Sequence, residues 1–214
     1  MAVAPANRTV PAPSTRERIL FVAADLFARQ GFHATTTRQI ADAVGIRQPS
    51  LFHHFSSKMA IAEAMLEWDL GRALPHVRAV AALPAPASAR LFRYLLDDVR
   101  HLSEAPYNLA GLYTEEVISR PEFLAWDRQR NQLHDIVEAI VREGVATGEF
   151  IEVNTALVRE AIGGILVRAL TVHSGGRGGG QALADQVARL VVRGLLRDPS
   201  EIDEVQAVAL ALGV

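Results

Sequence analysis

Cysteine is absent from the 214 residues, which excludes a disulfide framework and any metal held by thiolates. Aromatic residues make up only 6%, and the formal net charge is −2, so the chain as a whole is not a polycation built for nucleic acid. No apolar run reaches the roughly 20 residues that a membrane-spanning helix needs. The opening MAVAPANRTVPAPS lacks the apolar core of a signal peptide, and its Pro and Ala content predicts a disordered leader over 1–13. Long β-branched alternation, the mark of strands, is also missing. What is present is 50% hydrophobic residues, many of them Ala. Together these features predict an all-α protein of one or two domains, soluble in the cytoplasm, away from membranes and without a cofactor.

Local order is densest from Thr36 to Lys58, TTRQIADAVGIRQPSLFHHFSSK. Thr36 with Gln39 three residues on reads as a capping box, and Ile40, Ala41 and Val44 recur at helical spacing. Gly45 falls where that helix must stop and the backbone turn left-handed. Ile46 plugs the turn. Pro49 suits the first turn of a new helix, where the N–H it lacks would have no partner, and Leu51 and Phe55 give that helix an inward side. A small inward residue (Ala41), a turn glycine and an inward Leu six later have the spacing of a helix-turn-helix over 36–55.

The outward side of the second helix carries Arg47, Gln48, Ser50, His53 and His54, whose donors and acceptors suit base edges and phosphates. Lys58, the single lysine, opens the next helix, where ammonium and helix N-terminus would form an anion site. An ordinary helical hairpin with a solvated polar face would read the same in this stretch alone. The charge distribution bears on the choice. From Ser14 to Lys58 six basic residues (Arg16, Arg18, Arg29, Arg38, Arg47, Lys58) oppose three acids, a local net of +3, whereas Met59 onward carries about −6. A basic head on an acidic body is the electrostatic footprint of a DNA-binding module. The excess is modest, so tight binding calls for two heads.

This stretch and the helix before it resemble the N-terminal domain of the TetR family of transcriptional regulators. The resemblance runs from about Ser14 to Ala73. It rests on Arg18-Ile19-Leu20, Ala23 to Phe27, Gly31-Phe32, Thr35-Thr36, Ile40-Ala41, Val44-Gly45-Ile46, Leu51 to Phe55 and Ser57-Lys58 in one register. It implies a three-helix DNA-binding domain (14–73) on a helical ligand-binding and dimerisation domain (74–214). The implied function is a ligand-responsive regulator, most often a repressor, that grips a pseudo-palindromic double-stranded DNA operator as a homodimer. A small, largely apolar effector bound in the body would release it. Arg47, Gln48, Ser50 and His53, with Pro49 in the same turn, are then expected at base edges; Thr36, Thr37, Arg38, His54 and Lys58 are expected at phosphates. Phe52 departs from the pattern. The family usually has Tyr there, commonly on phosphate, so that hydrogen bond is lost and Phe52 is left to pack. A helical binding protein without operator function is the alternative.

Upstream, Thr15 is expected to cap a first helix ending at Gln30, whose Arg16 and Arg18 either meet phosphate or stay solvated. Downstream, the periodicity predicts helices from Ser57 to about Val80 with a kink at Pro75, from Ser88 to Ser103, from Asn108 to Ser119, and from Pro121 to Thr147. Further helices are expected over Thr155–His173, Gln181–Arg197 and Pro199–Leu212, with SGGRGGG (174–180) as a flexible connection. Thr155–His173 is apolar nearly all round. Its Gly163-Gly164 costs roughly 1 kcal/mol each against Ala, reasonable where another backbone comes close. The resemblance implies a four-helix dimer interface, with Ile162, Gly163, Gly164, Val167, Leu183, Val187, Leu190 and Val191 as candidates. Ligand candidates are Phe92, Tyr107, Tyr113, Phe123, Trp126, Gln129 and His134, each of which also suits plain core. Glu115 and Glu116 either counter a cationic ligand or face solvent.

Signs of catalysis are missing. No Ser–His–Asp order, nucleophile elbow or glycine-rich nucleotide loop appears, so an enzyme lacks a nucleophile with its base. The adjacent His53 and His54 point to different sides of a helix. His101 and Glu104 share a face but have no third ligand nearby, and read as a solvated pair rather than a metal site.

Overall fold

A computed structural model describes residues 12–173 and 180–213. Residues 1–11 of the expected leader and most of the glycine-rich connection fall outside the described residues. The head begins with α1 (Thr15–Gln30), α2 (Thr37–Val44) and α3 (Gln48–His54). Ser14, not Thr15, caps α1: its hydroxyl accepts from the Glu17 N–H at 3.2 Å and the Glu17 carboxylate accepts the Ser14 N–H at 2.7 Å. The same reciprocal pair joins Thr36 and Gln39 at the start of α2. Gly45, at φ 78°, ends α2 in the left-handed region.

α4 (Lys58–Ala81) starts at Ser57, whose hydroxyl takes the Ala60 N–H at 3.0 Å. Its first turns bury Ile61 and Met65 in the interior that also takes Ile19, Phe27, Ile40 and Leu51 of the head. Each such side chain contributes about 1.5–3 kcal/mol by leaving water. The helix runs unbroken past the domain boundary expected at 73/74 and past Pro75. Pro75 and Gly71 both lie on the exposed side, so the carbonyl left without its i+4 donor can be hydrated.

In the body, α5 (Ala87–Ser103) is the central element and packs against α4, α7 (Leu124–Thr147), α8 (Thr155–His173), α9 (Gly180–Leu195) and α10 (Ile202–Ala211). Its N-terminus lies one residue before the expected Ser88 and is capped from outside. The Glu149 carboxylate accepts the N–H groups of Ala87 and Ser88 at 3.1 and 2.9 Å and the Ser88 hydroxyl at 2.7 Å, placing a negative charge on the positive helix end. The helix expected over 108–119 shrinks to the single turn α6 (Glu115–Ile118). Asn108 takes the Ala110 N–H on its side chain at 2.9 Å, a local bond that competes with helix.

Head and body meet at a tight seam. Phe32 packs between Phe27 (5.0 Å between ring centroids) and Phe123 (5.3 Å). Beside it, Gly111 lies so close to the backbone of Phe27 and Ala28 that a Cβ there would overlap it. Gly111→Ala should therefore lower stability by about 1–3 kcal/mol, the usual cost of overpacking, read as a drop of several degrees in the circular dichroism melting midpoint; an unchanged midpoint would mean that the seam yields freely.

Candidate nucleic-acid interface and ligand cavity

The turn at Gly45 sets α3 across α2 with its polar side outward. Thr36, Arg38, Arg47, Pro49, His53 and His54 are exposed, and Thr37, Gln48 and Ser50 are partly covered. These nine of the ten expected DNA contacts are thus exposed or partly exposed. Gln48 Nε2 donates to Thr37 Oγ1 at 3.0 Å, tying the start of α3 to the start of α2. Arg38 and Asp42 are 4.0 Å apart and largely solvated, a pairing worth little. Phe52 is 45% exposed, so part of its ring is open to solvent. Arg16 covers the Phe55 ring at 4.7 Å, and Arg18 donates to the Val44 carbonyl at the end of α2.

Lys58 is the exception to the expected set. Its Nζ donates to the carbonyls of Phe32 (2.6 Å), His33 (3.3 Å) and Thr35 (2.7 Å) and lies 4.4 Å from the Phe32 ring centroid. An ammonium has three donors, and all three are used within the protein. Partial burial lowers its pKa. Lys58 thereby clamps the α1–α2 connection onto α4, and the phosphate contact expected of it would have to replace one of these bonds.

A cavity of about 320 Å³ opens among α4, α5, α7 and α8, within the range of small-molecule sites. Leu70, Ala73, Leu102, Leu133, Leu166 and Val167 form its apolar wall. Asp69 of α4 and Asp98 of α5 face it and are buried, at 4% and 7% exposure. The Tyr113 hydroxyl donates to Asp69 Oδ2. The Tyr94 hydroxyl is 3.5 Å from Asp98 Oδ2, the outer limit of a hydrogen bond. Burial, and next the charge of Asp69, raise the Asp98 pKa to about 8, so this carboxyl is protonated at neutral pH. Burial, and next Arg130, lower that of His134, leaving its ring neutral.

Next to the cavity, His101 is buried, not solvated beside Glu104. It stacks on Trp68 at 4.3 Å. Arg72 donates to its Nδ1 at 3.1 Å, which puts the ring proton on Nε2, 3.3 Å from Asp69 Oδ1. That approach is out of line, and Asp69 Oδ1 has no hydrogen bond. Among the described residues no three His, Asp or Glu converge on a metal site.

Of the seven ligand candidates, Tyr113 and His134 line this cavity. Phe92 and Phe123 are core, at 0% and 1% exposure. Tyr107 packs on Trp68 (5.8 Å) and Phe21 (6.3 Å). Trp126 lies about a turn before the stretch of α7 that lines the cavity, and Gln129 immediately before it; neither is among the lining residues. The acids Asp69 and Asp98 are absent from the expected set, although each interrupts an inward apolar stripe (Met65, Leu66, Leu70 and Leu91, Leu95, Leu102), a signal open to reading. The side chains of Glu115 and Glu116 lie outside the described atoms.

The expected dimer residues divide. Ile162 and Val187 are buried inside the protomer, at 3% and 8% exposure, and have little surface left for a second copy. Gly163 makes room for a side chain rather than a backbone: a Cβ there would come within 3.3 Å of the His134 ring. Val167 belongs to the cavity wall. Leu183 and Val191 are half-buried, Gly164 is exposed, and Leu190 of α9, at 70%, and Leu157 of α8, at 67%, stand out from the surface.

A left-turned helix pair with an exposed polar second helix, mounted on a helical body with its own cavity, defines a DNA-binding helix-turn-helix regulator. Residues 19–65 match the family described as bacterial regulatory proteins, tetR family, and residues 84–195 match the tetracyclin repressor-like C-terminal domain. The chain belongs to the TetR family of transcriptional regulators. It is 32% identical over 155 residues to the HTH-type transcriptional repressor KstR2 of Mycolicibacterium smegmatis, covering 69% of this chain and 73% of that one. AmtR of Mycobacterium smegmatis superposes with a TM-score of 0.75 at 26% identity, over 97% of this chain and 99% of that one. The ketosteroid transcriptional regulator KstR2 of Mycobacterium tuberculosis gives a TM-score of 0.71 at 25% identity, over 88% and 98%. No helix among the described residues is long and apolar enough to cross a membrane.

Two measurements check these assignments. Lys58→Met should lower stability by about 1–3 kcal/mol, because three carbonyls lose a charged donor; unchanged stability with a flatter salt dependence of DNA binding would return Lys58 to the phosphates. Asp98 keeps its proton to about pH 8 when folded but loses it near pH 4 when unfolded. Folding therefore takes up a proton between these values, and stability falls as pH rises through that window. Asp98→Asn should accordingly stabilise the ligand-free protein by about 1–3 kcal/mol at pH 8 and by little at pH 4, measured by denaturant titration.

Proposed function

We propose that two copies of this chain hold their α3 helices in successive major grooves of a pseudo-palindromic operator, repress transcription there, and let go when a small molecule fills the cavity. The observation that carries this reading is the exposed polar face of α3 just past the Gly45 turn. Arg47, Gln48, Ser50 and His53 are assigned to base edges, and Thr36, Thr37, Arg38 and His54 to phosphates. The solvent-open part of the Phe52 ring suits a thymine methyl or a sugar in place of a polar phosphate contact.

Two-fold pairing would cover the apolar surface at Leu157 and Gly164 of α8 and Leu190 of α9, and a two-fold axis would set the heads one groove repeat apart, roughly 34–36 Å. The M. tuberculosis relative is a ketosteroid transcriptional regulator, which makes a largely apolar effector reasonable here, and the apolar wall of the cavity agrees with it. Release requires that the effector prefer one head arrangement over the other, and α4, with Asp69 on the cavity, is the element that would carry the preference.

The test is selection of genomic DNA fragments by the full chain, followed by fluorescence anisotropy on the enriched site. Enrichment of an inverted repeat, with two chains bound per site, is expected; no enriched site would overturn the reading. Within that site, Gln48→Ala should lose about 1–3 kcal/mol of discrimination at one base position per half-site, whereas uniform weakening across all sequences would remove Gln48 from the base-reading set.

A further inference from the structure

We propose that the cavity takes a protonated amine on an apolar body, with the ammonium lodged between Asp69 and Asp98. This rests on the ligand-responsive reading above and names the chemical class of the effector.

The two carboxyl groups are short of partners. Both are more than nine-tenths buried and both face the cavity. Asp69 Oδ1 has no hydrogen bond, and Asp98 has only the long approach of the Tyr94 hydroxyl, at 3.5 Å. Buried carboxylates ordinarily have full sets of donors or a cation beside them. Here each has one tyrosine hydroxyl, and the second contact of Asp69 is the misaligned His101 ring.

From α5, His101 stands 3.3 Å from Asp69 Oδ1 but makes no hydrogen bond to it, and Arg72 of α4 is spent on the His101 ring at 3.1 Å. From α7, Arg130 is bound to Asp127 at 2.9 Å, and the His134 ring is neutral. From α8, Glu160 reaches the wall but is exposed and paired with Arg159 at 2.7 Å. From α5 itself, Asp97 is held by His76, Arg93 and Arg100. With Glu160 paired to Arg159 and Arg130 to Asp127, the buried polar groups left facing the cavity are the two carboxyls, and the six apolar wall residues select for a hydrocarbon body.

The energetics point the same way. In the ligand-free chain Asp98 limits repulsion from Asp69 by holding a proton. An arriving ammonium replaces that proton, which passes to solvent, and its N–H groups donate to both carboxylates; hydrogen bonds of this charged kind are about twice as strong as neutral ones. An alcohol of the same shape could donate once but would bring no charge.

The experiment uses three probes with one apolar body: 4-phenylbutylamine, 4-phenylbutan-1-ol and 4-phenylbutyrate, titrated calorimetrically into the full chain at pH 7. The ammonium is expected to bind about tenfold to a hundredfold more tightly than the alcohol, and the carboxylate more weakly than either. Asp98→Asn and, separately, Asp69→Asn should reduce that preference to a few-fold while leaving the affinity for the alcohol nearly unchanged. Tightest binding of the carboxylate, equal binding of all three, no binding of the amine up to millimolar concentration, or a preference untouched in both variants would each overturn the proposal. The amine is also added to the protein bound to its selected operator fragment. An amine that binds with the stated preference yet leaves that complex intact keeps the cation site and overturns the effector role; release by the alcohol or carboxylate alone does the reverse.

Discussion

One helix belongs to two hydrophobic interiors, and the rest of the architecture follows from that constraint. The first turns of α4 bury Ile61 and Met65 in the head, and its later turns bury Leu74 and Val77 in the body. Asp69 lies between them on the cavity wall, roughly 12 Å along the axis from Ile61 at 1.5 Å per residue. Packed interiors behave as jigsaws with few alternative fits. Under the proposed release, a group that pulls on Asp69 would act on the helix that is also fastened to the head near the Lys58 clamp.

The head is legible in the sequence because its signals are local. A capping box needs residues three apart, a helix-stopping glycine needs only its own φ, and the outward face of α3 follows from the inward places of Leu51 and Phe55. The cap of α1 falls one residue before its expected place because Ser14 and Thr15 are both good caps, and only Ser14 has Glu17 three positions on. The role of Lys58 is not legible: its carbonyl partners lie more than twenty residues earlier, and no spacing rule reports a lysine folding back on them. The shortened α6 has a local cause in the Asn108 turn, which apolar periodicity alone does not weigh.

The cavity shows the same division. Candidates chosen for bulk or polarity along single helices land partly in the core, because α5 is enclosed on nearly every side and most of its large residues are simply interior. What marks the site is the opposite property, small acids placed where the stripe calls for Leu. Burial raises the Asp98 pKa to about 8, and replacing buried carboxyls by apolar residues of the same size is often neutral or stabilising. Asp69 and Asp98 come together only in three dimensions, one from α4 and one from α5.

The lysine that clamps the head has a chemical consequence beyond packing. Histidine aside, every other basic side chain in the sequence is arginine, and guanidinium groups neither lose their charge at physiological pH nor accept the acyl groups that neutralise lysines. The sole ε-amine is turned onto three carbonyls. Lysine acylation, which silences many basic surfaces, would thus find no free side-chain amine on the operator-facing side, so the grip on DNA answers to what enters the body rather than to acylation of the head.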